Sequence, residues 1–246
     1  MTSTPLLEVG SLGKRFNGFV ALAEVDFAVK PGERVGLIGP NGSGKSTFVN
    51  CVSGALRQDA GSVTFAGHKV DTMPPHQRAR MGLVRSFQLP RPFSSMSVAS
   101  NLRIPLIYSV SARPGGFLDD SAIAQRIEEL LDLVGLQGKG ANRPLDLTQV
   151  DLRKLDLARA MASGPRLLIA DEAMAGLSHS EVDSILALLF RLSADGVAVI
   201  MIEHIMRAVT SFSERLVVFV TGRKIADGVP ADVIRMPDVE RAYLGE

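Results

Sequence analysis

The segment from Gly39 to Thr47 carries the strongest indication of chemistry in the sequence. It reads Gly-Pro-Asn-Gly-Ser-Gly-Lys-Ser-Thr and matches the phosphate-binding pattern G-x-x-x-x-G-K-[ST] in full. In this pattern, glycines let backbone N–H groups turn toward phosphates, and the N-terminus of the following helix adds partial positive charge. Lys45 is expected to reach the β- and γ-phosphates, and the Ser46 hydroxyl to bind Mg²⁺. The predicted phosphate contacts are Gly39, Asn41, Gly42, Ser43, Gly44, Lys45, Ser46 and Thr47.

A second candidate segment is Leu167 to Glu172, an apolar run that ends in two carboxylates. In an open α/β sheet, ligands bind beyond the carboxyl ends of the strands, so Asp171 can reach the same phosphates. We expect Asp171 to hold Mg²⁺ through water and Glu172 to act as the base on the attacking water. The structural alternatives are a glycine-rich turn that matches by chance and a helix N-cap at Asp171.

Short β-like runs alternate with helical patterns along most of the chain, which is typical of an α/β fold. The predicted strands are Val25–Val29, Arg34–Ile38, Ser62–Phe65, Leu167–Ala170, Val197–Ile202, Arg215–Val220 and Lys224–Asp227. From 89 to about 162, helical spacing dominates, with one helix beginning near Asp119 and another after Thr148. We therefore expect one domain over 1–246, with an α/β core at about 1–88 and 163–246 and a helical subdomain at about 89–162.

Composition and charge exclude several classes of protein. The chain has 246 residues, 46% of them apolar, and its 27 Lys plus Arg against 26 Asp plus Glu leave a net charge of +1, which argues against a nucleic-acid partner. The longest uncharged runs have about 11 residues, whereas a membrane-spanning helix takes roughly 20, and no secretory signal is recognisable. The single cysteine, Cys51, excludes an internal disulfide and suits a reducing compartment. Arg78, Arg80 and Arg85 are expected to be scattered surface charges.

Taken together, these motifs resemble the ATP-binding subunits of ABC transporters over nearly the whole chain. Gln88 stands at the Q-loop glutamine that senses Mg²⁺, His204 at the switch histidine that contacts the γ-phosphate, and Phe16 where an aromatic ring stacks on adenine. The resemblance implies an α/β fold with a P-loop NTPase (RecA-like) core, an antiparallel β subdomain and an inserted α-helical subdomain. It also implies ATP and Mg²⁺ as cofactors, with catalytic roles for Lys45, Gln88, Glu172 and His204 and metal contacts from Ser46, Gln88 and Asp171.

Within this family, the sequence is most similar to the ATPases of branched-chain amino acid uptake systems. The segments that carry the similarity are Arg85 to Gln88, Ala175 to Ser178 and Arg241 to Glu246. It implies an ATP-hydrolysing importer subunit, peripheral on the cytoplasmic face of the inner (plasma) membrane, with transmembrane permease subunits and, indirectly, a solute-binding protein. We expect the segment 88–103 to dock on the permease. The alternatives are an ATPase of lipid or lipopolysaccharide export, whose tail is related, and a soluble ABC-type ATPase of DNA repair or translation.

The family signature L-S-G-G-Q is altered here to Leu147-Thr148-Gln149-Val150-Asp151. Thr148 keeps a hydroxyl and stays an expected nucleotide contact. Both glycines are lost, and with them the close approach of a helix N-terminus to the γ-phosphate held by an opposite subunit. This change favours a heterodimer in which a second ATPase subunit supplies an intact signature. A homodimer that tolerates the change and a hydrolytically weak regulatory ATPase are the alternatives.

Overall fold

The computed structural model describes residues 4–86, 90–113 and 115–244. The ten strands within these ranges are β1 (Leu7–Phe16), β2 (Phe19–Val29), β3 (Arg34–Ile38), β4 (Ala60–Phe65), β5 (His68–Lys69), β6 (Leu83–Arg85), β7 (Leu167–Asp171), β8 (Ala198–Ile202), β9 (Arg215–Val220) and β10 (Arg223–Gly228). The nine α-helices in the same ranges are α1 (Lys45–Ser53), α2 (Pro75–Arg80), α3 (Val98–Pro105), α4 (Asp120–Val134), α5 (Gln149–Ala162), α6 (His179–Ala194), α7 (Met206–Phe212), α8 (Pro230–Val233) and α9 (Pro237–Leu244). Among the helices so described, none is long and apolar enough to cross a membrane.

The strands form two sheets. A six-stranded sheet has the order β10-β9-β3-β8-β7-β6, in which β9, β3, β8, β7 and β6 are parallel and β10 pairs antiparallel with β9 at the edge. A four-stranded antiparallel sheet has the order β2-β1-β4-β5. Helices α3, α4 and α5 lie in the chain between β6 and β7, so a helical insertion separates these two parallel strands. This architecture confirms the predicted fold class.

Both faces of the six-stranded sheet are covered, which explains its continuous apolar strands. Successive residues of β7 belong to different cores: Leu168 lies in a cluster with residues of α3 to α6, whereas Ile169 lies in a cluster with residues of α1 and the antiparallel sheet. The ring of Phe48 in α1 lies 5.0 Å from that of Phe27 and 5.3 Å from that of Phe219. These edge-to-face contacts join α1 to both sheets, so the helix that follows the glycine-rich loop has a fixed position.

Sequence patterning does not predict the strands β1 and β6. The alternation of β1 is interrupted, because its register with β2 shifts at three places and Ser11 has a φ of 47°. Strand β6 spans only Leu83–Arg85, which is too short to show a period. Strand β1 pairs with the adjacent β2 and with the more distant β4, and β6 pairs with β7, which follows the helical insertion.

The expectation that Arg78 is a surface charge is wrong. Arg78 is only 1% exposed, and its guanidinium donates hydrogen bonds to the carbonyl oxygens of Cys51 (2.9 Å), Val52 (2.7 Å) and Met73 (2.9 Å). Cys51 and Val52 lie at the end of α1, where carbonyl groups have no partner within the helix. Arg78 therefore caps α1 and ties it to the segment that leads into α2.

Candidate functional site

The loop Gly39–Thr47 connects the end of β3 to the start of α1. Two of its glycines are required by their surroundings. Gly39 has a φ of 154°, and a Cβ atom there would lie 2.2 Å from the carbonyl oxygen of Phe219. Gly44 has a φ of 101° and caps α1, and its Cβ atom would lie 2.7 Å from the carbonyl oxygen of Ala21. Glycine therefore lets the loop pass close against its neighbours in a left-handed conformation.

A cavity of about 250 Å³ opens along this loop. Its lining combines residues 41–47 with Phe16, Phe19, Ala21 and Glu172. Phe16 is 44% exposed and Phe19 is 63% exposed, so aromatic surface is available beside the loop. The cavity thus offers a phosphate-binding loop and a surface for a planar base together, as nucleotide recognition requires.

Lys45 is buried in the first turn of α1 and donates hydrogen bonds to the carbonyl oxygens of Gly39 (2.7 Å) and Pro40 (3.1 Å). Burial holds the pKa of Lys45 below its usual value, while the carboxylates of Glu172 and Asp171 act in the opposite direction. The ammonium group and the two carboxylates are therefore close enough to interact electrostatically. A nucleotide phosphate would give Lys45 a stronger partner than the two neutral carbonyl groups.

Glu172 and His204 form a contact at the ends of β7 and β8. Oε1 of Glu172 lies 2.9 Å from Nε2 of His204. The strands pair in parallel up to Asp171 and Ile202, and the N–H of Glu172 donates to the carbonyl oxygen of Ile202 at 2.9 Å. The backbone of Glu172 is left-handed, with a φ of 48°. A carboxylate held by an imidazole beside the cavity is suited to accept a proton from water.

The neighbouring carboxyl group of Glu203 is buried and accepts a hydrogen bond from the N–H of Met174 at 2.8 Å. Burial raises the pKa of Glu203 to about 6, although hydrogen bonds from the backbone of Met174 and His204 act to lower it. Glu203 therefore fixes the turn after Glu172 to the end of β8. The sequence motifs above do not include this residue, although a carboxylate between a buried strand and a histidine is an available signal.

The expectation that Arg85 is a scattered surface charge is also wrong. Its Nη2 atom lies 2.6 Å from Oδ2 of Asp171, and its Nη1 atom donates to Oδ1 of Asn50 at 2.7 Å. The side chains of Arg85 and Asp171 are 15% and 9% exposed. Arg85 pairs with Ile169 between the neighbouring strands β6 and β7, which brings its side chain to the end of β7. The predicted metal ligand Asp171 therefore has a cationic partner within the chain.

The altered signature segment begins α5. The Oγ1 atom of Thr148 accepts a hydrogen bond from the N–H of Asp151 at 3.2 Å, and Gln149 and Val150 have helical backbone in the first turn. The close approach of glycine backbone would favour a positive φ, which strains a β-branched residue. Val150 has helical backbone instead, so it is not strained. Nζ of Lys139 lies 2.6 Å from the Asp151 carboxylate. Thr148 does not line the cavity beside the glycine-rich loop, so its predicted nucleotide contact is not made within one chain.

The side chains predicted to bind Mg²⁺ are Ser46, Asp171 and Gln88, of which Gln88 lies outside the described residues. The Ser46 hydroxyl is exposed beside the cavity, and Asp171 ends β7, so both offer oxygen donors. In the described ranges, no cluster of three or more His, Cys, Asp or Glu side chains forms a metal cage. These donors fit Mg²⁺, which keeps several waters and binds one or two carboxylates together with nucleotide phosphates.

A family model described as "ABC transporter" matches residues 22–175. The chain belongs to the ABC transporter family. This ABC subunit is 35% identical to the probable branched-chain amino acid transport ATP-binding protein LivG of Archaeoglobus fulgidus, over 98% of the chain and 95% of that relative. It is also 35% identical to the high-affinity branched-chain amino acid transport ATP-binding protein BraF of Pseudomonas aeruginosa, over 99% of each protein.

Solved ABC cassettes have the same fold. The ADP conformation of an ATP-binding cassette of an ABC transporter matches with a TM-score of 0.87 and 28% identity, over 99% of this chain and 100% of that chain. A nucleotide-free ATP-binding cassette matches with a TM-score of 0.86 and 27% identity, over the same shares. These findings confirm the predicted family. The chain is an ATP-binding subunit of an ABC transporter, and the cassettes of this family are ATPases.

Proposed function

We propose that this ABC subunit hydrolyses ATP with Glu172 as the general base. The contact of 2.9 Å between Glu172 and His204, beside a cavity that Glu172 lines together with the glycine-rich loop, is the observation that carries the proposal. In the proposed reaction, Lys45 leaves its two carbonyl partners to neutralise phosphate charge, and Glu172 takes a proton from the attacking water. His204 orients the Glu172 carboxylate and faces the γ-phosphate, and Phe16 stacks on adenine.

The experiment that tests these roles separates binding from turnover. Lys45→Ala is expected to lose about 10² to 10³ in ATP affinity, since a buried charge partner of the phosphates is removed. Glu172→Gln keeps the affinity but loses about 10² to 10⁴ in turnover, because the amide cannot accept the proton. Nucleotide titration and phosphate release measure the two effects. An equal loss of ATP affinity in both variants would contradict the assignment.

Mg²⁺ is the metal that the donors of this site suit. We propose that Ser46, Asp171 and Gln88 hold it, and that in the bound state it supplies positive charge at the β- and γ-phosphates. The chain's own contribution is to present oxygen donors from the start of α1 and from the end of β7. Binding of Mn²⁺, a paramagnetic substitute for Mg²⁺, provides a direct measurement of this role.

We propose that the subunit powers uptake of branched-chain amino acids or related small solutes. Relatives named for that transport match almost the full chain, which supports the proposal. The subunit would lie peripherally on the cytoplasmic face of the inner membrane, bound to permease subunits. A solute-binding protein would deliver the solute to these permease subunits from the other side of the membrane. Reconstitution with the permease subunits encoded beside it should give ATP-dependent uptake of labelled leucine, isoleucine or valine. ATPase activity that responds to lipopolysaccharide and to none of these amino acids would favour the export alternative.

A groove beside the helical insertion supports docking of the permease. The groove has a volume of about 230 Å³, and Phe93 and Tyr108, two of its lining residues, are 44% and 64% exposed. Within the segment expected to dock, Pro92 and Met96 are half-buried. The lining of the groove includes residues of β6, in the predicted core (1–88 and 163–246), and residues of α3 and α5, in the predicted helical subdomain (89–162). We propose that the permease docks where these two parts of the chain meet.

Single-cysteine crosslinking tests the docking proposal. Cys51 is buried and burial raises its thiol pKa to about 11, so a cysteine placed on the surface will react first. A cysteine in place of Phe93 is expected to crosslink to the permease. A cysteine in place of Ile225, which is exposed on the edge strand β10, serves as the matched control. Crosslinks from the control alone would refute the proposal.

We further propose that the working dimer pairs this chain with a different ATPase subunit. The altered signature supports this, because Gln149 and Val150 place side chains on the first turn of α5, where the family has glycines. Losing one well-placed donor to the reacting group lowers a rate by about 10² to 10³. The purified chain should therefore hydrolyse ATP slowly, and the mixture with its partner should depend on Glu172. Brisk hydrolysis by the chain alone, or an active mixture indifferent to Glu172→Gln, would overturn the heterodimer.

A further inference from the structure

Arg85 is bound to the carboxylate that the proposed function assigns to Mg²⁺. Its Nη2 atom lies 2.6 Å from Oδ2 of Asp171, whose side chain is 9% exposed. A guanidinium–carboxylate contact of this length is a charge-assisted hydrogen bond, and the low exposure limits screening by water and salt. Arg85 thus places a positive charge against the carboxylate of Asp171.

The second arm of Arg85 contacts the helix that carries the other predicted ligand. Nη1 donates to Oδ1 of Asn50 at 2.7 Å. Asn50 stands one helical turn after Ser46 on α1, so the two side chains share a face of the helix. Arg85 therefore bridges α1 and β7, the elements from which Ser46 and Asp171 would hold the metal.

We propose that Arg85 is a positioning residue that competes with the divalent metal for Asp171. The inference rests on the proposed metal role of Asp171. Without metal, the guanidinium neutralises the carboxylate and keeps it in place. A divalent ion held by this carboxylate through water would meet the like charge of Arg85, so the guanidinium on Oδ2 opposes its binding. Nucleotide phosphates offset this repulsion with negative charge. The chain therefore discriminates against metal that arrives without nucleotide.

Mn²⁺ titration of the full-length chain, followed by the loss of the free-ion signal in electron paramagnetic resonance, tests the competition. Without nucleotide, Arg85→Gln is expected to bind Mn²⁺ about tenfold more tightly than the wild type, because the competing charge is gone. Arg85→Lys, which keeps the charge but not the two-armed contact, is expected to lie between the two. With saturating ADP, the difference should shrink. Arg80→Gln is the matched control, since Arg80 is exposed and donates to the carbonyl oxygen of Tyr108.

A parallel titration of Asp171→Asn separates this inference from the metal site on which it rests. Asp171→Asn should bind Mn²⁺ more weakly than the wild type in the presence of ADP. If it does, and folded Arg85→Gln and Arg85→Lys bind Mn²⁺ no more tightly than the wild type, the competition is overturned while the metal role of Asp171 stands. If Asp171→Asn binds Mn²⁺ like the wild type, both fail. Thermal melting confirms that each variant is folded, and Arg85→Lys alone decides the matter if Arg85→Gln does not fold.

Discussion

Two segments of the chain lead into a helix, the loop Gly39–Thr47 and the signature segment Leu147–Asp151. They differ in how the N-terminus of the helix is capped. Gly44 caps α1 without a side-chain hydrogen bond in the part of the chain that the structure describes. At α5, the Thr148 oxygen already accepts from the N–H of Asp151, whose carboxylate in turn binds Lys139. The N–H groups at the start of α1 are therefore available to a phosphate, whereas one N–H in the first turn of α5 is already bound by the Thr148 side chain.

This difference follows from the residue types at the two helix N-termini. The glycines of the first loop let the backbone pass close to the carbonyl oxygens of Phe219 and Ala21, where a Cβ atom at Gly39 or Gly44 would clash. In the signature segment, side chains at Gln149 and Val150 favour the helix over that approach, because glycine destabilises a helix by about 1 kcal/mol relative to alanine. The first segment therefore has residues that a helix disfavours, and the second has residues that a helix accepts.

Restoring the glycines gives the largest expected change. Replacing both Gln149 and Val150 by glycine should raise the ATPase rate of the chain alone by about 10²-fold, because the N–H groups of α5 regain access to a phosphate on the opposite subunit. Phosphate release by the purified chain measures the effect. The matched control replaces both residues by alanine, which removes bulk but keeps the helical backbone. An equal rise in both variants would assign the defect to side-chain size rather than to the lost glycines.

Arg78, which binds the end of α1, and Lys139, which binds Asp151 in the first turn of α5, should contribute differently to the free energy of unfolding. Arg78→Met is expected to lower the free energy of unfolding by about 3 kcal/mol, because buried carbonyl groups at the end of α1 lose their donor. Lys139→Met should cost only about 1 kcal/mol, because the Lys139 side chain is 40% exposed and water can replace it. Urea denaturation of both variants, with Arg80→Met as the exposed control, measures the difference. Similar losses for Arg78→Met and Lys139→Met would contradict it.

Two buried carboxyl groups should respond to pH with opposite signs. Burial raises the pKa of Glu203 from 4.5 to about 6, so the folded state binds this proton more tightly and stability falls as the pH rises through that range. The free energy of unfolding of Glu203→Gln should therefore rise relative to that of the wild type as the pH increases above 4.5, by about 2 kcal/mol at neutral pH. The pKa of Asp151 is lowered from 3.8: burial acts to raise it, but hydrogen bonds from Lys139 and Thr148 prevail.

Asp151→Asn should accordingly lose stability at neutral pH and approach the wild type as the pH falls below 3.8. Urea denaturation of both variants across this range compares the two slopes directly. If Glu203→Gln and Asp151→Asn shifted with the same sign, the two carboxyl groups would not differ in this way.

The site was predictable where its parts are contiguous in the sequence. The loop Gly39–Thr47 is one motif between a strand and a helix, and Asp171 and Glu172 follow directly on a buried strand. Arg85 and Arg78 could not be predicted, since their partners are distant in the chain and, for Arg78, are backbone carbonyl groups of any residue type. Composition makes such arginines look like ordinary surface charges.

The fold follows the same rule. Strand β3 has the predicted bounds, and β7 and β8 differ from prediction by one residue at one end, because strands covered on both faces read as continuous apolar runs. The α4 and α5 helices begin where an N-cap was expected, with Asp119 and Thr148 accepting backbone hydrogen bonds. Strand β1 could not be predicted, because its bulges break the alternation on which such predictions depend.

The backbone of Glu172 is left-handed, with a φ of 48°. At this position, a change that stabilises the fold and a change that preserves turnover are in conflict. A non-glycine residue there costs roughly 1 to 2 kcal/mol, which glycine would recover. Glycine would also delete the proposed base. A laboratory selection for thermal stability alone would therefore enrich glycine at this position. The selected proteins would be thermostable and would bind ATP without hydrolysing it.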